Sequence, residues 1–251
     1  MKKSINFWLV CLLFCGVQGC GSQEQAQDKT FTNSISMEFM LIPAGKFTTT
    51  VQEHKRVVTI SKPFYLGKYE VTQEQWRVVM GAGSNQSQNM GRPNPVENVS
   101  WNDVQEFIKK LNEQEGSNKY RLPTEEEWEH AARAGTETEW FFGNEPDQLE
   151  QYAWCDKTFE PTKPVGQKLA NPWGLYDIYG NVWEWVQDYW GELQAVKVTD
   201  PTGPTSGTSR VVRGGDKGSA KNCRSAARHS YVPGYSSNGH VGFRLALSLG
   251  Q

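Results

Sequence analysis

The stretch DIYGNVWEWVQDYW, Asp177 to Trp190, sets three tryptophans, two tyrosines and three carboxylates beside a glycine and an asparagine within fourteen positions. A hydrophobic core accepts the rings but not the acids, and a solvated loop accepts the acids but not the rings. A carboxylate taken out of water needs compensation, because an unpaired charge in an apolar setting is strongly disfavoured. The segment therefore calls for a cation, either a bound metal ion or a guanidinium. In the second case Glu184 and Asp188 would pair with arginines such as Arg213 or Arg228.

The chain has 251 residues, of which 37% are hydrophobic, 22% charged and 12% aromatic. That is enough for one large globular domain or two small ones. A mean hydropathy of −0.64 excludes an integral membrane protein. A net charge of −2 excludes the basic surplus that tracks along nucleic acid, so no nucleic-acid partner is expected. The 24 glycines and 12 prolines beside ten tryptophans point to a loop-rich fold held by aromatic clusters.

The N-terminus reads as a targeting segment. Lys2 and Lys3 precede an apolar run, FWLVCLLF at 7–14, that is too short to span a bilayer. Gly19-Cys20 closes the segment and resembles a bacterial lipobox, in which the cysteine becomes the lipidated first residue. Residues 1–19 are then a lipoprotein signal peptide, 20–33 a polar flexible tether, and 34–251 the folded domain. The alternative is an ordinary secretory signal with a chance cysteine. The lipobox implies the bacterial cell envelope, on the periplasmic or outer-membrane side, with a lipid on Cys20 holding the chain to the membrane. Two further cysteines, Cys155 and Cys223, follow Cys20. In an exported protein they either pair or remain as two thiols.

Within the domain, β-type runs occupy Met37–Ile42, Lys46–Thr50, Arg56–Ile60 and Pro63–Val71. Three capping boxes announce helices. They are Thr72 with Gln75, Ser100 with Asp103 (an imperfect box, since Asp replaces Glu), and Thr124 with Glu127. Val104, Phe107, Ile108 and Leu111 follow the second at helical spacing. Three acids, Glu125 to Glu127, suit the positive end of the third helix, which Gly135 stops. After Gly135 the chain runs in short Gly-, Pro-, Asn- and Trp-containing segments to a strand-like end, Val241–Leu247. The pattern is one α+β domain with much irregular structure and no internal repeat.

Several motifs recur in a fixed order: NPVENVSW (94–101), YRLPTEEEWE (120–129), AARAG (131–135), PVG (164–166), NPWGLYDIYGNVWEW (171–185), Arg213-Gly214-Gly215, RSAAR (224–228) and Gly242-Phe243-Arg244. The ordered set resembles the formylglycine-generating enzyme, or sulfatase-modifying factor, family from about Met37 to Leu247. The resemblance implies a C-type-lectin-like fold, a twisted, mostly antiparallel β core with few helices and neighbouring terminal strands. It also implies a calcium ion on the opening segment, with side-chain oxygens from Asp177 and Glu184 and backbone carbonyls from Gly180 and Val182. Calcium takes six to eight oxygen ligands, which suits carboxylates placed beside rings.

The family's enzymes oxidise a substrate cysteine to formylglycine with copper held by two cysteine thiolates. Counting from Gly214-Gly215, the first thiolate position is Ser219, the second has no counterpart, and Asp216 replaces the enzymes' serine after the glycine pair. Cys223 lies off the family's spacing and is only a weak catalytic candidate. Copper is expected only if the oxidase reading holds. The four histidines, at 54, 130, 229 and 240, form no His-rich iron site of the kind that related sulfoxide synthases carry. What remains is a binding or scaffold module, with an envelope protein, peptide or glycan as partner. Its candidate contacts are His229, Tyr231, Tyr235 and His240, aromatic and imidazole groups in a Gly-, Ser- and Pro-containing segment. The alternative is that these tyrosines complete the core.

Overall fold

A computed structural model describes residues 28–156, 160–236 and 239–249. The signal peptide, Cys20 and most of the tether lie outside the described residues. The tether boundary moves, because Thr30–Thr32 forms a strand, β1, paired antiparallel with β2 (Glu38–Ile42). The cause is one ring in a polar stretch. Phe31 packs against Phe39 at 5.9 Å and Tyr65 at 6.0 Å between centroids. Polar composition around Phe31 hid an anchor strong enough to order the backbone.

β3 (Gly45–Val51) and β4 (His54–Ile60) form a hairpin, followed by β5 (Phe64–Gly67), α1 (Gln73–Met80), α2 (Trp101–Gln114), β6 (Tyr120–Arg121), α3 (Glu125–Arg133) and the short α4 (Leu149–Tyr152). The second half is β-rich: β7 (Trp183–Tyr189), β8 (Lys197–Thr199), β9 (Arg210–Arg213), β10 (Arg228–Tyr231), β11 (Val241–Phe243) and β12 (Ala246–Leu247). Three sheets result, ordered β1-β2-β5-β12-β6, β10-β9-β7-β11 and β3-β4-β8. The first sheet holds the strands from both ends of the domain, with β5 between β2 and β12, so that Phe64 lies opposite Ile42 and Leu247 opposite Tyr65.

All three capping boxes close in both directions. The aspartate variant works too, since Asp103 Oδ2 accepts from Ser100 N at 2.9 Å while Asp103 N donates to Ser100 Oγ at 3.2 Å. The predicted stripe of α2 is buried, and Phe107 lies against Trp76 of α1 and Phe243 of β11 at 5.4 and 5.3 Å. The strand expected over Val241–Leu247 is instead two strands in two sheets. β11 runs parallel to β7, and β12 antiparallel to β5. Between them the buried guanidinium of Arg244 bonds the carbonyls of Gly67 and Tyr176 at 3.0 Å each and bends the chain across the sheets.

The first turn of α3 is not solvated. Glu125 bonds Arg213 at 3.0 Å and Arg228 at 2.7 Å, Glu129 bonds Arg213 at 2.7 Å and Arg133 at 2.8 Å, and Glu126 bonds Arg56 at 2.5 Å. Asp188, beside this network, accepts the Glu125 N–H at 2.8 Å through Oδ2, while its Oδ1 and Glu126 Oε2 are buried without a partner. Burial, with repulsion among these acids, pushes Asp188 up to about 8 and Glu126 up to about 7. Both carboxyls hold protons that the unfolded chain has already released. Their contribution to stability is therefore complete below the unfolded value near pH 4 and is lost as pH rises through 7 to 8. Asp188→Asn, a neutral mimic of the protonated acid, should flatten the fall in melting temperature between pH 5 and pH 8 and melt above the parent at pH 8. An unchanged pH profile would show that Asp188 is ionised throughout.

Cys155 and Cys223 form a disulfide with a Cα–Cα distance of 6.6 Å across 68 residues. It ties the chain after α4 to the turn between β9 and β10. Closing a loop of that length in the unfolded chain is worth about 4 kcal/mol in the chain-entropy model. The double Cys→Ser variant should lose roughly that much in urea unfolding.

Candidate functional site

The opening segment is built on left-handed backbone. Asp177, Gly180 and Asn181 have φ of 50°, 82° and 59°. Asp and Asn tolerate that region, but position 180 needs glycine for a second reason. A Cβ there would lie 2.5 Å from the Trp154 carbonyl oxygen and 2.7 Å from Cys155 Sγ. The segment is thus wedged against the disulfide, with Gly180 N donating to Gly214 O and Asn181 N to Trp154 O, both at 3.0 Å.

Three carboxylates meet here. Glu184 takes Arg244 in a fork, 2.6 Å to Nη2 and 2.7 Å to Nε, and its Oε2 also accepts the Trp128 indole at 2.7 Å. Asp177 Oδ2 accepts the Gly166 N–H at 2.6 Å, and its Oδ1 is buried without a partner. Glu70 accepts from Asn181 Nδ2 at 2.7 Å and Val182 N at 3.2 Å. Glu70 escapes the sequence reading because it sits at the end of a strand-like run. The arginine pairings differ from those considered. Arg244 serves Glu184, Arg213 and Arg228 serve Glu125 and Glu129, and Asp188 meets a backbone amide.

Glu70, Asp177 and Glu184 are each 1% exposed, and Arg244 is the one buried guanidinium bonded among them. Burial raises Asp177 to about 6 and Glu70 well above the carboxylate range, with neighbouring acids adding to the rise at Glu70. Excess negative charge and an open Asp177 oxygen fit a cation. Glu184 fits it poorly, since Arg244 and Trp128 engage both its oxygens. Among the described residues, no group of three or more His, Cys, Asp or Glu is arranged to hold a metal ion.

The copper donor set does not fit. Cys223 is fully buried and bonded to Cys155, so the catalytic thiol candidate is not a thiol. Ser219 starts the short 3-10 turn Ala220–Asn222, and a disulfide sulfur with a serine hydroxyl does not replace two thiolates. The glycine pair is required by crowding, because a Cβ on Gly215, at φ 75°, would meet the Asn222 carbonyl at 2.7 Å.

The four candidate contacts come together as a face beside this turn. His229 lies 5.9 Å from Trp183 and 4.9 Å from Tyr231, which stacks on Tyr235 at 5.3 Å. Tyr231 also meets Trp185 at 6.1 Å, so it does finish the core, while Tyr235 is 44% exposed. His240 Nδ1 pairs with Asp216 Oδ2 at 2.5 Å, and Asp216 is far less exposed than the imidazole. This pair was not foreseen, although aspartate in place of serine after the glycine pair was its signal. Trp183 N donates to His240 O at 2.8 Å and holds the face against the Asp177–Glu184 segment. An aromatic shelf edged by an imidazole–carboxylate pair offers stacking and directional hydrogen bonds together.

The sulfatase-modifying factor enzyme 1-like domain model matches residues 24–249. The chain is 32% identical over 284 residues to "Chaperone protein LppX" of Paenibacillus barcinonensis, covering 92% of this chain and 94% of that one. It is 34% identical over 221 residues to the mouse formylglycine-generating enzyme, covering 80% of this chain but 56% of the enzyme. Among solved structures, Treponema denticola variable protein 1 superposes with a TM-score of 0.79 at 31% identity, covering 87% of this chain and 98% of that one. PvdO from Pseudomonas aeruginosa superposes at 0.75 and 25% identity, covering 89% and 100%. With this fold and these motifs, the chain belongs to the sulfatase-modifying factor, or formylglycine-generating enzyme, family.

Proposed function

We propose that this chain is an envelope-anchored lipoprotein whose domain binds a partner and carries no oxidase chemistry. The observation that carries this reading is that Ser219 stands at the first copper-thiolate position and the second has no counterpart, while the Cys155–Cys223 disulfide ties up the cysteines of the described residues. The exposed shelf of His229, Tyr235 and His240 supplies a contact surface for an envelope protein, peptide or glycan. A relative named as a chaperone adds support for a binding role. Anchoring rests on Cys20, and no helix among the described residues is long and apolar enough to cross a membrane. The opposing reading is an oxidase that converts a cysteine of a target protein. Incubating the protein with Cu(I), oxygen and a Cys-x-Pro-x-Arg peptide separates the two by mass spectrometry. No aldehyde should form, and Tyr235→Ala with His229→Ala should weaken partner binding about tenfold, as removing stacked contacts does. Turnover that disappears in Cys223→Ser would restore the oxidase.

Calcium at the Asp177 segment is the second part of the proposal, supported by the open Asp177 oxygen and the uncompensated carboxylates. Asp177 and the carbonyls of Gly180 and Val182 would hold the ion, and Glu184 would contribute only beside Arg244. The ion would supply charge compensation to a buried acid cluster. A ligand bound only by the folded state at a hundredfold excess over Kd stabilises by about 2.7 kcal/mol, or roughly 5–10 °C for a domain of this size. Chelation should lower the melting temperature of the parent by that order and leave Asp177→Ala unmoved. A parent insensitive to chelation contains no such site.

A further inference from the structure

Glu97 is a buried acid that the arginine network leaves out. It is fully buried, and among the described residues it makes no ion pair, whereas Glu125, Glu126, Glu129 and Glu184 each meet a guanidinium. Its carboxylate is served on one oxygen only. Oε1 accepts the amides of Gln88 at 2.6 Å and Asn89 at 2.9 Å, and Oε2 is buried with no hydrogen-bond partner. The loop after α1 is clamped to this position, since Glu97 N donates to Ser87 Oγ at 3.2 Å and Asn98 Nδ2 to Gln86 O at 3.0 Å. Turning the carboxylate toward water would give up both amide bonds.

The free oxygen borders a gap left by a missing side chain. Gly239 is buried with φ of 80°, and a Cβ on it would lie 3.1 Å from Gln88 Oε1 and 3.6 Å from Glu97 Oε2. A charged oxygen and a neutral one thus edge the same space. A buried carboxylate without compensation is strongly disfavoured, and an orphaned buried oxygen calls for a water or an ion. The donors are oxygens, with no imidazole or thiolate among them, which suits a hard cation. The charge is that of one carboxylate, so a monovalent ion leaves the buried site neutral, whereas a divalent ion leaves a net charge there. Complete burial restricts the occupant to an atom-sized species.

We propose that Glu97 Oε2 and Gln88 Oε1 hold an alkali cation, sodium or potassium, beside Gly239. Neither donor belongs to the Asp177 segment, so this site is separate from the calcium proposed there. It adjoins His240, the residue after Gly239, whose carbonyl accepts from Trp183 N at 2.8 Å. The ion joins the loop after α1 to the segment that edges the aromatic shelf.

The test is thermal melting of the full-length chain in a non-ionic detergent, at one ionic strength, in sodium chloride, potassium chloride and N-methylglucamine chloride. The last cation is too large for the gap. A ligand bound only by the folded state, at tenfold excess over Kd, raises the melting temperature of a domain of this size by about 3–6 °C. That rise is expected in sodium or potassium, and the salt giving the larger rise names the occupant. Glu97→Gln keeps an oxygen for the two amides and offers an N–H to Gln88 Oε1, so it should fold and melt at one temperature in all three salts. Asp177→Ala should keep the whole rise, which separates this site from the calcium segment. An undiminished rise in Gln88→Ala overturns the assignment of the second donor. A parent that melts identically in all three salts overturns the proposal and assigns the free oxygen to a proton or to a Gln88 amide turned over. A rise that persists in Glu97→Gln overturns it as well, as a general salt effect.

Discussion

The buried fork between Arg244 and Glu184 is the constraint around which this fold is arranged. Both side chains are sealed from solvent, and the guanidinium also bonds carbonyls of Gly67 and Tyr176. One arginine thus joins β5, the Asp177 segment, β7 and the bend between β11 and β12. The Trp128 indole on the same carboxylate brings in α3. A buried ion pair adds little net stability over apolar packing, but removing one partner costs about 3–5 kcal/mol because the other charge is left without water. Such a pair selects one register. A one-residue slip of β11 against β7 would leave a bare carboxylate in the core.

The same logic extends through α3. Glu125, Glu126 and Glu129 face inward onto Arg213, Arg228, Arg133 and Arg56, whereas an ordinary amphipathic helix turns acids to water. The domain has two aromatic cores with charge between and beside them, one around Trp76, Phe107 and Phe243, the other around Trp128, Phe64 and Tyr179. Rings provide the apolar burial, and the arginine–carboxylate forks orient the elements. This is how a chain with short strands and long irregular connections reaches a single packing.

Function follows from what the scaffold does with its loops. The disulfide and the close approaches at Gly180 and Gly215 tie the turn carrying Asp216 to the Asp177–Glu184 segment, to which Lys217 N also donates at Asn181 O, 3.3 Å away. The His240–Asp216 pair and the tyrosine stack stand next to that turn, which suits the contact surface proposed for them. At the first position where the resemblance places a copper thiolate this chain has Ser219, and Cys155 and Cys223 are tied to each other elsewhere on the same turn and its neighbour. The fold is shared with the family, and function has to be argued from the site and not from the fold.

The sequence alone determined helices α1 to α3 and strands β2 to β5, because capping boxes and apolar periodicity act within a few residues. Thr72, Ser100 and Thr124 start helices where their hydroxyls reach the third amide onward, whatever packs around them. The family was readable for a similar reason, since its motifs are contiguous. The meeting of His229, Tyr231, Tyr235 and His240 followed from their closeness along the chain. Only the tertiary structure decided the partners of the buried charges. Glu184 finds Arg244 sixty residues away, and Glu70 meets Asn181 across more than a hundred. Charge has no periodicity along the chain, so any of several arginines satisfies a carboxylate on paper. The backbone path selects among them, and it likewise decided that Cys155 meets Cys223, that Phe31 orders a polar tether, and that the last strand divides between two sheets.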